Sequence, residues 1–187
     1  MTALPRSGSS PALQARLRRL AWIVRGLIAF GAVGLVAALA WTWADPTRAS
    51  AQLKEVSSLC DVPGLTVRAH LLGAAWSLLP LAVSLLGLQR LWLLFGEYAQ
   101  ARVFSHRALL CLRDFARCIL ALAVLSPVYG AVLSVIATWA NGPGKRQLNV
   151  NVTSDDYVML LFGAVLLAIS TVMAEAARVA EDNEGFV

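Results

Sequence analysis

Ionisable residues are scarce in this sequence, and nearly all of them lie away from the middle of its apolar segments. Charged residues make up 14% of the 187 residues, whereas a soluble domain carries about 25%. Asp, Glu, Lys and His are missing from the middle third of every long apolar segment. Intramembrane hydrolases and charge-coupled transporters need such groups within the bilayer. The sequence therefore predicts a protein without enzymatic activity.

Cysteine and histidine are also scarce, and their positions exclude the usual metal and disulfide sites. Of the three cysteines, only Cys60 lies on the predicted outer side, so no intramolecular disulfide is expected there. The other two, Cys111 and Cys118, lack the spacing of metal ligands. His70 and His106 are predicted on opposite sides of a membrane and cannot share a metal ion. No cofactor is predicted.

The sequence contains four long apolar segments. They lie near residues 22–43, 71–95, 118–140 and 157–177. Each is long enough for a helix to cross a hydrocarbon core of about 30 Å, which takes roughly 20 residues. The predicted fold is all-α, a four-helix transmembrane bundle. Residues 1–10 are predicted to be a disordered tail, and residues 11–187 a single integral membrane domain.

Basic residues are distributed unequally between the two sides of the predicted membrane. Eleven lie on the side of the termini: Arg6, Arg16, Arg18, Arg19, Arg25, Arg90, Arg102, Arg107, Arg113, Arg117 and Arg178. Five lie on the other side: Arg48, Lys54, Arg68, Lys145 and Arg146. Short loops rich in Lys and Arg stay cytoplasmic, so both termini are predicted inside. This orientation and contact with the lipid bilayer explain the net charge of +5. Direct nucleic-acid binding is not predicted.

The outer loops carry signals for one short helix and one strand pair. Asp45-Pro46 is a helix-start signal, which predicts a short surface helix over residues 47–57. Residues 148–152 alternate apolar and polar side chains, as a strand with one covered face does. Because a lone strand needs a partner, we expect pairing with residues 65–68 in a short two-stranded outer cap. The stretch 154–156 is predicted to cap the fourth span.

Small residues at helical spacing predict close helix packing. In the third span the ridge consists of Ser126, Gly130, Ser134 and Thr138. Such ridges let two backbones approach closely in lipid. Gly31 and Gly34 in the first span, and Gly163 and Ser170 in the fourth, are candidates for the same role. Whether the ridge packs within one chain or in a homo-oligomer stays open, as does whether Pro80 is a hinge or a fixed kink.

The loop between the second and third spans is the richest polar region. Ser105 is a good N-cap, and an amphipathic helix follows it, either lying at the headgroups or extending the third span. A basic interfacial helix that only fixes topology is one interpretation. The other is a docking surface for a partner, comprising Glu97, Tyr98, Arg102, Phe104, His106, Arg107, Arg113, Glu181, Asp182 and Glu184.

Three stretches carry a resemblance to a known family. They are 94–98 (LFGEY) leading to 103–105 (VFS), Leu112-Arg113 before the third span, and the ending 180–187 (AEDNEGFV). With them, the chain from about Arg18 onward resembles a bacterial four-span membrane family known as domain of unknown function 2975. The resemblance implies a bacterial cytoplasmic (inner) membrane protein. Family members are often encoded beside a small helix-turn-helix regulator, which implies a membrane partner in regulation. The family has no established reaction, so it implies no catalytic residues.

Two functional hypotheses follow, from different classes. The first is a non-enzymatic regulatory or scaffold protein that presents its cytoplasmic face to another protein. The second is a passive permease or an accessory subunit of a transporter, with hydroxyl groups lining a path. The candidates for that path are Ser77, Ser84, Ser126, Ser134 and Ser170. The first requires a closed apolar centre, whereas the second requires these serines to converge on a hydrated cavity.

The predicted orientation can be tested by cysteine labelling. A cysteine introduced by Ala101→Cys should be protected from an impermeant thiol reagent added outside the cell, because residue 101 is predicted to be cytoplasmic. The native Cys60, predicted outside, should be reached by the same reagent. Labelling of residue 101 from outside would contradict the topology.

Overall fold

The computed structural model describes residues 11–57, 66–100, 105–139 and 148–184, and their regular structure is entirely helical. The helices are α1 (Pro11–Trp43), α2 (Pro46–Ser57), α3 (Val67–Ala99), α4 (His106–Thr138) and α5 (Ser154–Glu184). All but α2 are long and apolar enough to cross a membrane. The all-α class is thereby confirmed, and the number of sufficiently long, apolar helices agrees with the four predicted spans. Residues 1–10, predicted to be a disordered tail, lie outside the described residues.

The four long helices lie side by side in the order α1, α3, α4, α5. Each runs antiparallel to its neighbour, since Arg25 near the start of α1 meets Trp92 near the end of α3, and Trp43 meets His70 at the opposite end. We call the end with the start of α1, the α3–α4 connection and the end of α5 the terminal end, and the opposite end the α2 end. Within the described residues, α1 and α5 are the two edges of the row. Their exposed apolar side chains, such as Phe30 and Val172, suit contact with lipid.

The short helix α2 confirms the prediction from Asp45-Pro46. The Asp45 carboxylate accepts hydrogen bonds from the Thr47 backbone N–H (2.9 Å) and hydroxyl (2.7 Å). These bonds lower the pKa of Asp45 below its ordinary value. The helix is not wholly superficial, because Ala49 and Leu53 are buried. Leu53 joins a cluster with residues of α4, which holds α2 over the row.

The starts of α4 and α5 also follow from side-chain capping. The Ser105 hydroxyl accepts from the Ala108 N–H at 3.1 Å, as its position in the sequence predicts. At α5 the cap is Thr153, one residue before the predicted stretch. The Thr153 backbone N–H donates to the Asp156 carboxylate at 2.8 Å, and the Asp156 N–H donates back to the Thr153 hydroxyl at 3.3 Å. This reciprocal pair is a capping box with Asp in the third helical position.

The prediction of a two-stranded outer cap is wrong. Thr66 caps α3, because its hydroxyl accepts from the Ala69 N–H, and residues 67–68 are already helical. Leu65 lies outside the described residues. Residues 148–153 form no strand, and the Asn149 N–H donates to the Ser134 hydroxyl instead. The alternating side chains Leu148, Val150 and Val152 are all exposed, so the pattern has no covered face.

The sequence leaves open whether the amphipathic segment after Ser105 lies at the headgroups or extends the third span. The structure shows that it extends the third span. Helix α4 is continuous over 33 residues, about 50 Å at the helical rise. It therefore exceeds a hydrocarbon core of about 30 Å by several turns. Pro80 and Pro127 lie inside α3 and α4 respectively without ending them.

Small residues permit close approach at two of the helix interfaces. A Cβ added at Gly163 of α5 would lie 2.9 Å from Leu120 Cγ of α4, and one at Gly87 of α3 would lie 3.2 Å from Cys118 Cβ. In contrast, nothing lies within 4 Å of a Cβ at Gly31 or Gly34, so these two do not pack against another described helix of the chain. Along the predicted ridge of α4 the exposure falls from one end to the other: Ser126 is exposed, Gly130 half-buried, and Ser134 and Thr138 are buried.

We expect Gly163→Ala to destabilise the α4–α5 contact. The added methyl group would overlap Leu120, and overpacking of this kind costs about 1–3 kcal/mol. The measurement is unfolding of the purified protein by titration of sodium dodecyl sulfate into mild detergent. Gly34→Ala is the matched control, because its methyl group meets open space. Equal stability of the two variants would show that α5 does not pack on α4 through Gly163.

Candidate functional site

The described members of the predicted partner surface meet at the terminal end. Glu97 and Tyr98 lie in the last turn of α3, and the others lie in the first turns of α4. Those others are His106, Arg107 and Arg113. Two members, Arg102 and Phe104, lie outside the described residues. The last turns of α5 contain Glu181, Asp182 and Glu184, whose side chains lie outside the described part of the chain.

Glu97 ties the end of α3 to the start of α4. Its carboxylate lies 3.8 Å from Arg107 Nε and accepts a bond from the Ser105 hydroxyl at 3.4 Å. The Glu97 side chain is only 12% exposed, whereas that of Arg107 is 70% exposed. Ser105 therefore has two roles, since it also caps α4. Beneath these groups, Leu94, Ala108 and Cys111 form a buried apolar cluster. The end of α3 and the start of α4 are therefore joined by polar contacts at the surface and by apolar packing beneath them.

A second set of ion pairs lies deeper along the same two helices. The Asp114 carboxylate lies 3.6 Å from Arg90 Nε of α3 and 3.3 Å from Arg117 Nη1 of α4. These side chains are 31–57% exposed, so each pair contributes at most about 1 kcal/mol. The amphipathic pattern after Ser105 does not predict the link between Asp114 and Arg90. Opposite charges near the facing ends of consecutive helices were the available signal.

A groove of about 560 Å³ lies between the start of α4 and the end of α5. Its polar lining comes from His106, Thr171, Glu175 and Arg178. Glu175 and Arg178 pair with each other at 2.6 Å, as their spacing along one helix predicts. His106 is exposed on α4 and faces this groove. The terminal end thus offers a groove beside the α3–α4 contacts, with basic side chains reaching solvent.

A separate cavity of about 240 Å³ lies towards the α2 end, among α1, α2, α3 and α4. Its polar centre is a hydrogen bond of 2.8 Å between Ser77 Oγ and the Tyr129 hydroxyl. Ser77 donates its own proton to the Gly73 carbonyl, so Tyr129 is the donor to Ser77. Most of the remaining lining is apolar, and Leu53 and Gln52 of α2 cover one side.

The five serines proposed to line a permeation path do not gather in one place. Ser77 and Ser84 line the cavity. Ser126 bonds to the Asp156 carboxylate, and Ser134 accepts from Asn149 near the α2 end. Ser170 is buried and donates to the Leu167 carbonyl of its own helix. Two of the five therefore share a cavity, and the rest make local contacts elsewhere.

The described residues contain no cluster of three His, Cys, Asp or Glu side chains that could hold a metal ion. His70 uses Nε2 to contact the Trp43 carbonyl oxygen at 2.9 Å. The Trp43 ring also packs over Gly73, so α1 and α3 are joined at the α2 end by this tryptophan.

We expect Tyr129→Phe to destabilise the fold by about 0.5–1.5 kcal/mol, the usual net value of one buried hydrogen bond. The loss follows because the Tyr129 hydroxyl is the group that bonds to Ser77 across the α3–α4 interface. Detergent-titrated unfolding measures it. The control is Tyr157→Phe, which removes a hydroxyl from an exposed ring and should leave stability unchanged. A Tyr129→Phe variant as stable as the parent would contradict the bond.

Comparison with known proteins yields one match. The family described as "Protein of unknown function (DUF2975)" matches residues 35–186. This range contains all of α2, α3, α4 and α5 and, except for Val187, the stretches that carry the resemblance. No curated protein and no solved structure matches the chain. The match extends over well more than half of the 187 residues, and the chain accordingly belongs to the DUF2975 family of proteins of unknown function.

Proposed function

We propose that the protein is a non-enzymatic regulatory or scaffold protein of the bacterial cytoplasmic membrane. It crosses the membrane several times with both termini in the cytoplasm and presents its terminal end to another protein. The excess of basic residues at that end supports the orientation. The observation that carries the proposal is the set of contacts between the end of α3 and the start of α4, where Ser105 and Arg107 hold Glu97.

Such contacts suit protein recognition because the Glu97 side chain is already held in place, so less side-chain freedom is lost on binding. Helix α4 extends past the apolar core and places exposed His106, Arg107 and Arg113 on a continuous helix. The surplus charge there is positive, so the complementary partner surface is acidic. A helix-turn-helix regulator fits the role suggested by the family resemblance, and contact with DNA would then be made by that partner. The same surface in a second copy, forming a homo-oligomer, is the competing partner.

The second candidate, a passive permease or an accessory transporter subunit, is favoured by one observation. Ser77 and Ser84 line the same cavity of about 240 Å³. Ser126, Ser134 and Ser170 make their contacts elsewhere, so the hydroxyl groups do not support a shared path. Solute uptake by proteoliposomes that is lost in a Ser77→Ala, Ser84→Ala double variant would favour this function over the first.

Photo-crosslinking in native membranes tests the regulatory proposal. The photo-crosslinker p-benzoylphenylalanine replaces His106, and we expect it to capture a cytosolic protein. Arg113→Ala should reduce that capture several-fold, because it removes an exposed basic contact. Arg68→Ala is the matched control, since Arg68 is also exposed but lies at the α2 end. Capture of only this chain itself, unchanged by Arg113→Ala, would contradict the proposal.

A further inference from the structure

Arg25 differs from every other arginine that the structure describes. The others are exposed, whereas Arg25 is half-buried. Five of those exposed arginines pair with a carboxylate: Arg48, Arg90, Arg107, Arg117 and Arg178. Within the described ranges Arg25 pairs with none, and its buried Nε has no hydrogen-bond acceptor. Burying a charge is costly unless it is paired and hydrogen-bonded, so this guanidinium calls for an anion that the described residues do not supply.

Two tryptophans fix the position of the guanidinium. Its Cζ atom lies 4.0 Å from the ring centroid of Trp92 on α3 and 5.4 Å from that of Trp22 on α1. Stacking on Trp92 occupies one face of the planar group but leaves its edge N–H donors free to bind. Beside Nη1 lies Gly96, where an added Cβ would be 3.9 Å away. The missing side chain leaves room next to the free donors.

The depth of Arg25 identifies the class of anion. Counting along α1, Arg25 precedes Trp43 by eighteen residues, about 27 Å at the helical rise. If Trp43 marks one edge of a hydrocarbon core of about 30 Å, Arg25 lies at the other edge, where lipid headgroups begin. The anions concentrated at that level are phosphates, and the fork of a guanidinium matches two phosphate oxygens. A zwitterionic headgroup brings its own ammonium group, which the guanidinium disfavours.

We propose that Arg25, stacked on Trp92 and flanked by Trp22 and Gly96, binds the phosphate group of one anionic phospholipid at the terminal end of the α1–α3 pair. This lipid supplies the counter-ion that the described residues lack. The site is independent of the proposed regulatory function, since it lies on α1 and α3 rather than on the exposed face of α4.

Native mass spectrometry of the full-length protein in detergent tests the site. With equal amounts of dioleoylphosphatidylglycerol and dioleoylphosphatidylcholine added, the parent should retain one phosphatidylglycerol preferentially. Arg25→Gln should lower that preference about tenfold or more, because charge-assisted bonds to phosphate are lost. Arg25→Lys should lower it less, since the charge remains but the planar fork does not.

The matched control is Arg18→Gln, which removes the same charge from an exposed position on the same helix. It should change the preference by no more than about fivefold, and only at low salt, because exposed charges are screened. Should Arg25→Gln fail to fold, Trp92→Leu provides the second variant, and its loss of phosphatidylglycerol retention would support the site. Unchanged preference in Arg25→Gln, or displacement of the lipid by millimolar inorganic phosphate, would overturn the assignment to a phospholipid.

Discussion

Hydrocarbon offers no water to a polar group, and this constraint governs nearly every polar contact in the apolar part of the row. Several serine hydroxyl groups there donate to a carbonyl of the same helix. Ser77 donates to Gly73, and Ser84 donates to Pro80. Ser84 thereby supplies a partner to the carbonyl of a proline within α3. A serine in a membrane helix consequently says little about a path for solutes, because its own backbone can satisfy it.

The terminal end follows a different rule, because water and lipid headgroups are available there. Each carboxylate whose side chain is described at that end has an arginine beside it: Glu97, Asp114 and Glu175. These pairs neutralise the carboxylates described there, and arginines without a carboxylate partner among the described residues are left over. Some of that surplus points to solvent from α4, and some is held between tryptophans on α1 and α3. The exposed basic residues of α4 are proposed to bind a protein, and the arginine beside the tryptophans is proposed to bind a lipid.

The sequence predicted the spans and the starts of helices because those depend on local chemistry. Ser105 and Asp45 act through neighbours two or three residues away, so their roles can be read from adjacent positions. The strand pair failed because alternation at 148–152 is also compatible with an irregular segment exposed on both faces. Contacts between helices, such as Arg90 with Asp114 or Arg25 with Trp92, depend on how each helix is rotated about its axis. Weak amphipathicity in lipid-exposed helices leaves that rotation undetermined, since apolar side chains face both lipid and protein.

The linear order of the long helices has a consequence for synthesis. As the chain leaves the ribosome, each new long helix finds its antiparallel neighbour already in place, so the row can grow one helix at a time at its free edge. Helix α2 is the exception, because Leu53 packs with Leu133 and Ala137 of α4. It is made second, yet its docking surface is completed only after two further long helices have been made. Until α4 is made, Leu53 lacks these partners, so α2 completes its packing later than its place in the sequence suggests.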